Sequence, residues 1–184
     1  MRPASTFSVP DLGLMARSID RADASEWFAF AALPEVKKHT SSTIATVEDL
    51  LASIDRCNSP DPRSPICFAL RRPSDGRLVG TVGFHTVSAI NRTAEVTYQV
   101  HPSCWGNGIA SSACKAAVAW AFSELGLVRV QATTLESNIA SQRVLAKCGF
   151  ALEGTLRNFR IVRGKPRNYL LYANVPSHGI HEAA

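Results

Sequence analysis

The 184-residue sequence has no run approaching the ~20 apolar residues of a membrane span, and its opening segment MRPASTFSVPDLG holds no apolar stretch of signal-peptide length. Neither membrane insertion nor secretion is expected. Internal repeats and low-complexity tracts are also missing, apart from loosely polar ends over about the first ten residues and the tail PSHGIHEAA. The five cysteines, Cys57, Cys67, Cys104, Cys114 and Cys148, are odd in number and form no C-x-x-C pair. That pattern suggests neither a disulfide framework nor a zinc knuckle, and the five read as reduced thiols of a cytoplasmic protein. No metal is expected.

What is present is the composition of an ordinary globule, 46% hydrophobic and 19% charged. A chain of this length can bury roughly 70% of its unfolded surface, and residues 1–184 read as one domain with a core from about 12 to 175. Twenty Lys and Arg against fifteen Asp and Glu leave a charge of +5. Such an excess suits RNA, an acidic protein or a phosphorylated cofactor without choosing among them.

Strand-forming residues occur at 12–19, 66–71, 78–87 and 93–100, with Pro73-Ser74-Asp75-Gly76 as a hairpin turn. In the last of these runs Val96, Tyr98 and Val100 share one face, and Glu95, Thr97 and Gln99 the other. Two helices are expected before residue 66: one around Trp27 and Phe28, ended by Pro34, and one after the capping hydroxyl of Thr46. Further on, Ile109, Ala113, Ala116 and Trp120 recur at helical spacing up to Gly126, and a strand is expected at 128–134. Asn138 caps a helix with Val144, Leu145 and Cys148 inward, and strands follow at 159–162 and 169–175. The order gives a mixed α/β layer built on one sheet.

Chemistry concentrates at residues 100–110, V-H-P-S-C-W-G-N-G-I-A, between a strand and a helix. Two glycines permit a tight turn there, and the free amides of the first helical turn can converge on an anion such as a diphosphate. A Rossmann reading fails because Gly106-x-Gly108-x-x-Ser111 lacks the third glycine, and no Gly-Lys-Ser/Thr is present for a Walker loop. About 30 residues downstream and one strand later stands N-I-A-S-Q-R-V-L-A-K-C-G-F, residues 138–150.

Together W-G-N-G-I-A and N-I-A-S-Q-R-V-L-A-K-C-G-F resemble the acyl-CoA-binding motifs of the GNAT N-acetyltransferases, in particular the RimJ/RimL branch. The likeness extends through A-E-V-T-Y-Q-V-H-P before them and E-G-T-L-R-N-F-R-I-V-R-G-K-P-R-N-Y-L-L-Y-A after them. It implies the GNAT fold, with a mixed, mostly antiparallel central sheet flanked by helices and splayed between the strand ending near Val100 and the strand at 128–134. Acetyl-CoA would lie in the gap as cosubstrate, its diphosphate on the amides of Trp105, Gly106, Asn107, Gly108, Ile109 and Ala110. Val100 would face the pantetheine and thioester, and Asn138 the other side of the pantetheine. The acceptor would be a primary amine, a small molecule or a protein N-terminus, attacking directly in a ternary complex. No membrane partner is implied, nucleic acid is not favoured, and a homodimer is left open.

Two departures bear on the chemistry. Leu145 stands where many family members have a tyrosine that protonates the leaving thiolate, and Ser141 is the substitute the motif suggests. Asn168 stands where an Asp is often found. Glu95, near the start of the strand bordering the acyl group, is the candidate general base, with a solvated strand position or a pair with Arg92 as the plainer readings. Ser141 can equally satisfy local backbone groups. His85 and His101 read as structural or surface residues, and Arg157, Arg160, Arg163, Lys165 and Arg167 as a solvated basic hairpin able to attract an acidic or phosphorylated substrate. Two rival readings remain: a non-catalytic acyl-CoA-binding protein, and a ribosome- or RNA-associated module using that hairpin.

Overall fold

The computed structural model describes residues 6–41 and 44–176. In chain order the elements are β1 (Thr6–Val9), β2 (Leu14–Ser18), α1 (Ala24–Ala31), α2 (Pro34–Lys37), α3 (Val47–Cys57), β3 (Ile66–Arg71), β4 (Leu78–Ser88), β5 (Thr93–Val100), α4 (Ile109–Glu124), β6 (Arg129–Leu135), α5 (Ile139–Lys147), β7 (Ala151–Val162) and β8 (Lys165–Asn174). The eight strands form one sheet in the order β1-β2-β3-β4-β5-β6-β8-β7. Every neighbouring pair is antiparallel except β5 with β6. This is the mixed, mostly antiparallel sheet flanked by helices that the motifs led us to expect.

The β5–β6 pairing decides where a site can form. It runs only through Thr93↔Arg129, Ala94↔Val130 and Glu95↔Gln131. Beyond that point β5 stays bonded to β4 as far as Gly80↔Val100, while β6 follows β8 from Val130↔Asn174 to Leu135↔Tyr169. The two strands therefore diverge, and the sheet opens into a wedge with Glu95 and Gln131 at its apex.

Alternation in the strands gives the sheet two apolar faces. On one, Phe68, Val82, Phe84 and Val96 pack against the Ala113, Ala117, Trp120 and Ala121 side of α4. The small residues of that stripe let the helix approach closely, and Trp120 meets Phe68 edge to face with centroids 4.9 Å apart. On the other face Ile19, Phe30, Ile54, Ala69 and Leu78 unite α1, α3, β3 and β4. A buried carboxylate pins this second layer. Asp23 is 0% exposed and accepts from Arg17 at 2.7 and 2.8 Å, from the Asp20 amide at 2.8 Å and from Arg71. Burial alone would raise its pKa, but these donors outweigh it and hold the carboxyl below its ordinary value.

Several elements differ from the expectation. The first strand is shorter than residues 12–19, and an extra strand, β1, precedes it. Its inward residue Val9 is 1% exposed, so pairing with β2 gives order to a segment that reads as a polar end. Pro34 does not only end a helix; its fixed φ opens α2. β7 begins eight residues before 159 and β8 four before 169, because their cross-strand bonds extend over residues with little strand propensity. The expected polar tail, from residue 177 on, lies outside the described residues.

Candidate active site

The wedge between β5 and β6 is a cleft of about 630 Å³. Residues 96–100 of β5 form one wall, residues 132–135 of β6 and the start of α5 the other. Residues 104–111, Asn107 excepted, close one end, and the segment from Val36 to Ser41 with Arg160 and Tyr169 closes the other.

The glycine loop is built as its residues require. Gly106 and Gly108 have φ of +80° and +76°, and a side chain on either would meet open space. Ile109 is buried in the core and anchors the start of α4. The first intrahelical bond is donated by Ser112 to the Gly108 carbonyl at 3.0 Å, so the helix itself leaves the amides of Ile109, Ala110 and Ser111 unclaimed. Trp105 folds back on the strand end, its indole N–H donating to the Val100 carbonyl at 2.8 Å. That takes up the carbonyl but not the amide of Val100. Asn107 does not line the cleft; its amide is 3.4 Å from the Cys104 carbonyl.

Across the gap, Asn138 caps α5, its side-chain oxygen accepting from the Ser141 amide at 3.1 Å. Its NH₂ group is not used in that bond. The Ser141 hydroxyl is 2.8 Å from the Tyr98 hydroxyl, and both residues line the cleft. Burial pushes the Tyr98 phenol well above its ordinary pKa, so it stays protonated. Leu145 is 1% exposed and supplies only packing.

Glu95 is neither solvated nor paired with Arg92. It is 5% exposed, and the Arg92 guanidinium instead donates to the Gly126 carbonyl at 2.7 Å. The Glu95 carboxylate accepts from the Thr133 hydroxyl and from Gln131 at 3.4 Å, with Arg160 at 3.5 Å and His85 Nε2 at 3.8 Å. It lies just behind the cleft, which His85, Thr133 and Arg160 themselves line. Burial lowers the His85 pKa; Glu95 pulls it up and Arg160 pushes it down, and the outcome is below the ordinary value. His85 is therefore neutral near pH 7.

Tyr98, His85, Thr133 and Arg160 are not marked as site residues by the sequence. The β4–β5 register places His85 directly opposite Glu95, a signal hidden until the hairpin register is known. Among the described residues no cluster of His, Cys, Asp and Glu is arranged to hold a metal ion, and no helix is long and apolar enough to cross a membrane.

The acetyltransferase (GNAT) domain model matches residues 14–151. The chain belongs to the GNAT acetyltransferase family. This GNAT chain is 32% identical over 164 residues to an uncharacterized N-acetyltransferase, YoaA, of Bacillus subtilis, a match covering 88% of this chain and 93% of that one. Among solved structures it is similar to Mycobacterium smegmatis RimJ in complex with CoA-disulfide, with a TM-score of 0.79 and 26% identity over 88% of this chain and 81% of that one. A GNAT-family acetyltransferase from Bacillus anthracis shares the fold, with a TM-score of 0.77 and 23% identity over 88% and 94% of the two chains. GNAT enzymes use acetyl-CoA, and this chain is an N-acetyltransferase.

Proposed function

We propose that the protein transfers the acetyl group of acetyl-CoA to a primary amine by direct attack in a ternary complex, as a RimJ/RimL-like single-domain enzyme. The observation that carries this reading is the β5–β6 pairing, which stops at Glu95↔Gln131 and opens a cleft with the glycine loop at one end and an acid–imidazole pair at its base. The likeness to RimJ supports the branch.

The residues present suit the cosubstrate. The unclaimed amides at the start of α4, with open space before Gly106 and Gly108, suit a diphosphate. The free strand edge around Val100 and the unused NH₂ group of Asn138 suit the polar pantetheine arm. Acetyl-CoA supplies an activated acyl group whose C–S bond breaks as the new C–N bond forms.

The remaining chemistry is proton handling. An attacking amine must lose a proton, and neutral His85 on the cleft wall is the candidate to take it. Its Nε2 faces the Glu95 carboxylate, which would stabilise an imidazolium, and the proton would enter at Nδ1 in place of the Thr86 hydroxyl now 2.8 Å from it. Glu95 thus supports His85 as general base instead of meeting the amine itself. Either hydroxyl can donate in the Tyr98–Ser141 bond, and with Tyr98 as the donor the Ser141 proton is free to turn toward the departing sulfur. A phenol with a raised pKa gives its proton up poorly, so the pair stabilises the thiolate by hydrogen bonding and solvent completes the protonation.

The basic hairpin does less for an RNA-binding reading than its sequence promised, since Arg160 lines the cleft and Arg163 bonds the Lys37 carbonyl. The test is a turnover screen with acetyl-CoA against small amines and N-terminal peptides, with CoA release as readout. Turnover of a primary amine is expected; acetyl-CoA binding without turnover of any of them would sink the proposal.

A further inference from the structure

Resting on that reading of the cleft, we infer that its acceptor is an amine carrying a carboxylate close to the reacting nitrogen, with Arg160 and Tyr169 receiving the carboxylate. Both residues line the end of the cleft beside His85 and Thr133.

Arg160 is delivered there by an irregularity in β7. Between the pairs Leu156↔Tyr169 and Arg160↔Arg167, β7 takes four steps where β8 takes two. Asn158 adopts a φ of +51° in this bulge, and its amide donates to the Asn168 side-chain oxygen at 3.0 Å. Asn168 thereby has a role in holding the bulge.

The Arg160 guanidinium then lies 5.1 Å from the centre of the Phe159 ring and 5.4 Å from that of Tyr169. Its polar contacts are long: 3.3 Å to the Ser41 hydroxyl, 3.4 Å to the Thr133 hydroxyl and 3.5 Å to Glu95. A planar cation with five N–H donors, fixed by stacking and only loosely bonded, keeps capacity for an oxyanion in the geometry guanidinium matches best.

Tyr169 supplies the independent observation. The residue is 4% exposed, and its hydroxyl is buried with no hydrogen-bond partner among the described residues. Buried hydroxyls are nearly always bonded, and one left open beside a ligand cleft is available to a ligand atom or a water. Trp120 Nε1, the other such group among the described residues, lies in the core away from the cleft. A carboxylate can accept from Tyr169 and from Arg160 together, with the amine toward His85. A polyamine would bring a second positive charge against Arg160, and an amine without an acceptor oxygen would leave the Tyr169 hydroxyl unpaired; an amide can accept there but lacks the charge that Arg160 matches.

The experiment compares matched acceptors with saturating acetyl-CoA: free amino acids against their amides, peptides beginning with aspartate or glutamate against those beginning with asparagine or glutamine, and spermidine. We expect kcat/KM for the acid to exceed that for its amide by about 10-fold or more, and Arg160→Gln to bring the ratio close to one. Tyr169→Phe should lower the ratio mainly through KM. Ratios cancel any effect of the substitutions on Glu95 itself. Whichever pair carries the preference identifies the source of the carboxylate, a free amino acid or a peptide side chain. A wild-type ratio near one, a preference for spermidine, or a ratio unchanged in Arg160→Gln would each overturn the inference. Where turnover is slow, calorimetric binding of the same pairs to the CoA-bound protein should show the same preference for the acid. Acetyl-CoA affinity, measured alone, separates the two levels: if it is absent the reading of the cleft fails, and if it is present with the wrong preference only this inference does.

Discussion

The Tyr98 hydroxyl stands 2.8 Å from the Ser141 hydroxyl, tying β5 to the first turn of α5 at the wall of the cleft. Two hydroxyls in series act as one unit, because a bond that Ser141 accepts from Tyr98 polarises the Ser141 O–H and leaves its proton for a leaving sulfur. Ser141→Ala and Tyr98→Phe should therefore each slow single-turnover acetyl transfer by about 10-fold or more, and the double variant should be no slower than the worse single one. Additive losses would separate the two hydroxyls. A change confined to acetyl-CoA affinity would make the pair a positioning device.

Glu95 sits at the wedge apex among Thr133, Gln131, Arg160 and His85, with almost no exposure. If its charge stabilises a proton taken up by His85, Glu95→Gln should lower turnover by ~100-fold near neutral pH while acetyl-CoA affinity stays nearly intact. Steady-state kinetics and calorimetry on the same preparation check both halves. Wild-type activity from about pH 6 to 9 would remove the acid from the mechanism.

The sequence disclosed most where one element suffices to read a residue's neighbours. The glycine pair before α4, the Asn138 cap and the Thr46 cap are local, and each forms as read; the reciprocal contact from Asp49 to the Thr46 amide is added by the structure. The opposed faces of β5 were legible too, since alternation alone separates Glu95 from Tyr98. What alternation cannot supply is the partner on each face. That Glu95 meets His85 depends on the β4–β5 register, and that Tyr98 meets Ser141 depends on how α5 crosses the sheet. Arg160 was hidden for another reason. In a run of five basic residues nothing marks the one that a bulge turns into the cleft, and the bulge is set by a contact between Asn158 and Asn168 on neighbouring strands.

Gly108 tests the diphosphate cradle. Its φ of +76° is a left-handed conformation that a β-branched residue resists, while the space before it is open. Gly108→Val thus costs the fold only local backbone strain, on the order of 1–3 kcal/mol, but places methyl groups where a diphosphate has to approach the amides. Acetyl-CoA affinity should fall by more than about 10-fold in protein that calorimetry shows to be folded. Unchanged affinity would move the phosphate site elsewhere.

His85 provides the pH test, and its sign follows from its neighbours. Burial lowers its pKa below 6.5, Glu95 acts to raise it and Arg160 to lower it. In an NMR titration the His85 ring should accordingly show a midpoint below 6.5, moving further down in Glu95→Gln and up in Arg160→Gln. Stability carries the same signature. Between the folded and unfolded pKa values the unfolded chain holds more protons, so unfolding becomes easier as pH falls through that window. The contribution is complete above the ordinary value of 6.5 and is lost below it as pH falls toward the folded midpoint. Urea midpoints measured from about pH 8 to 5 should thus drop more steeply for the wild type than for His85→Asn, which has no imidazole to charge. Parallel curves, or shifts of the same sign in the two charge variants, would show that His85 does not feel Glu95 and Arg160 from opposite sides. The transfer of the amine proton to a His85 steadied by the Glu95 charge would then lose its electrostatic basis.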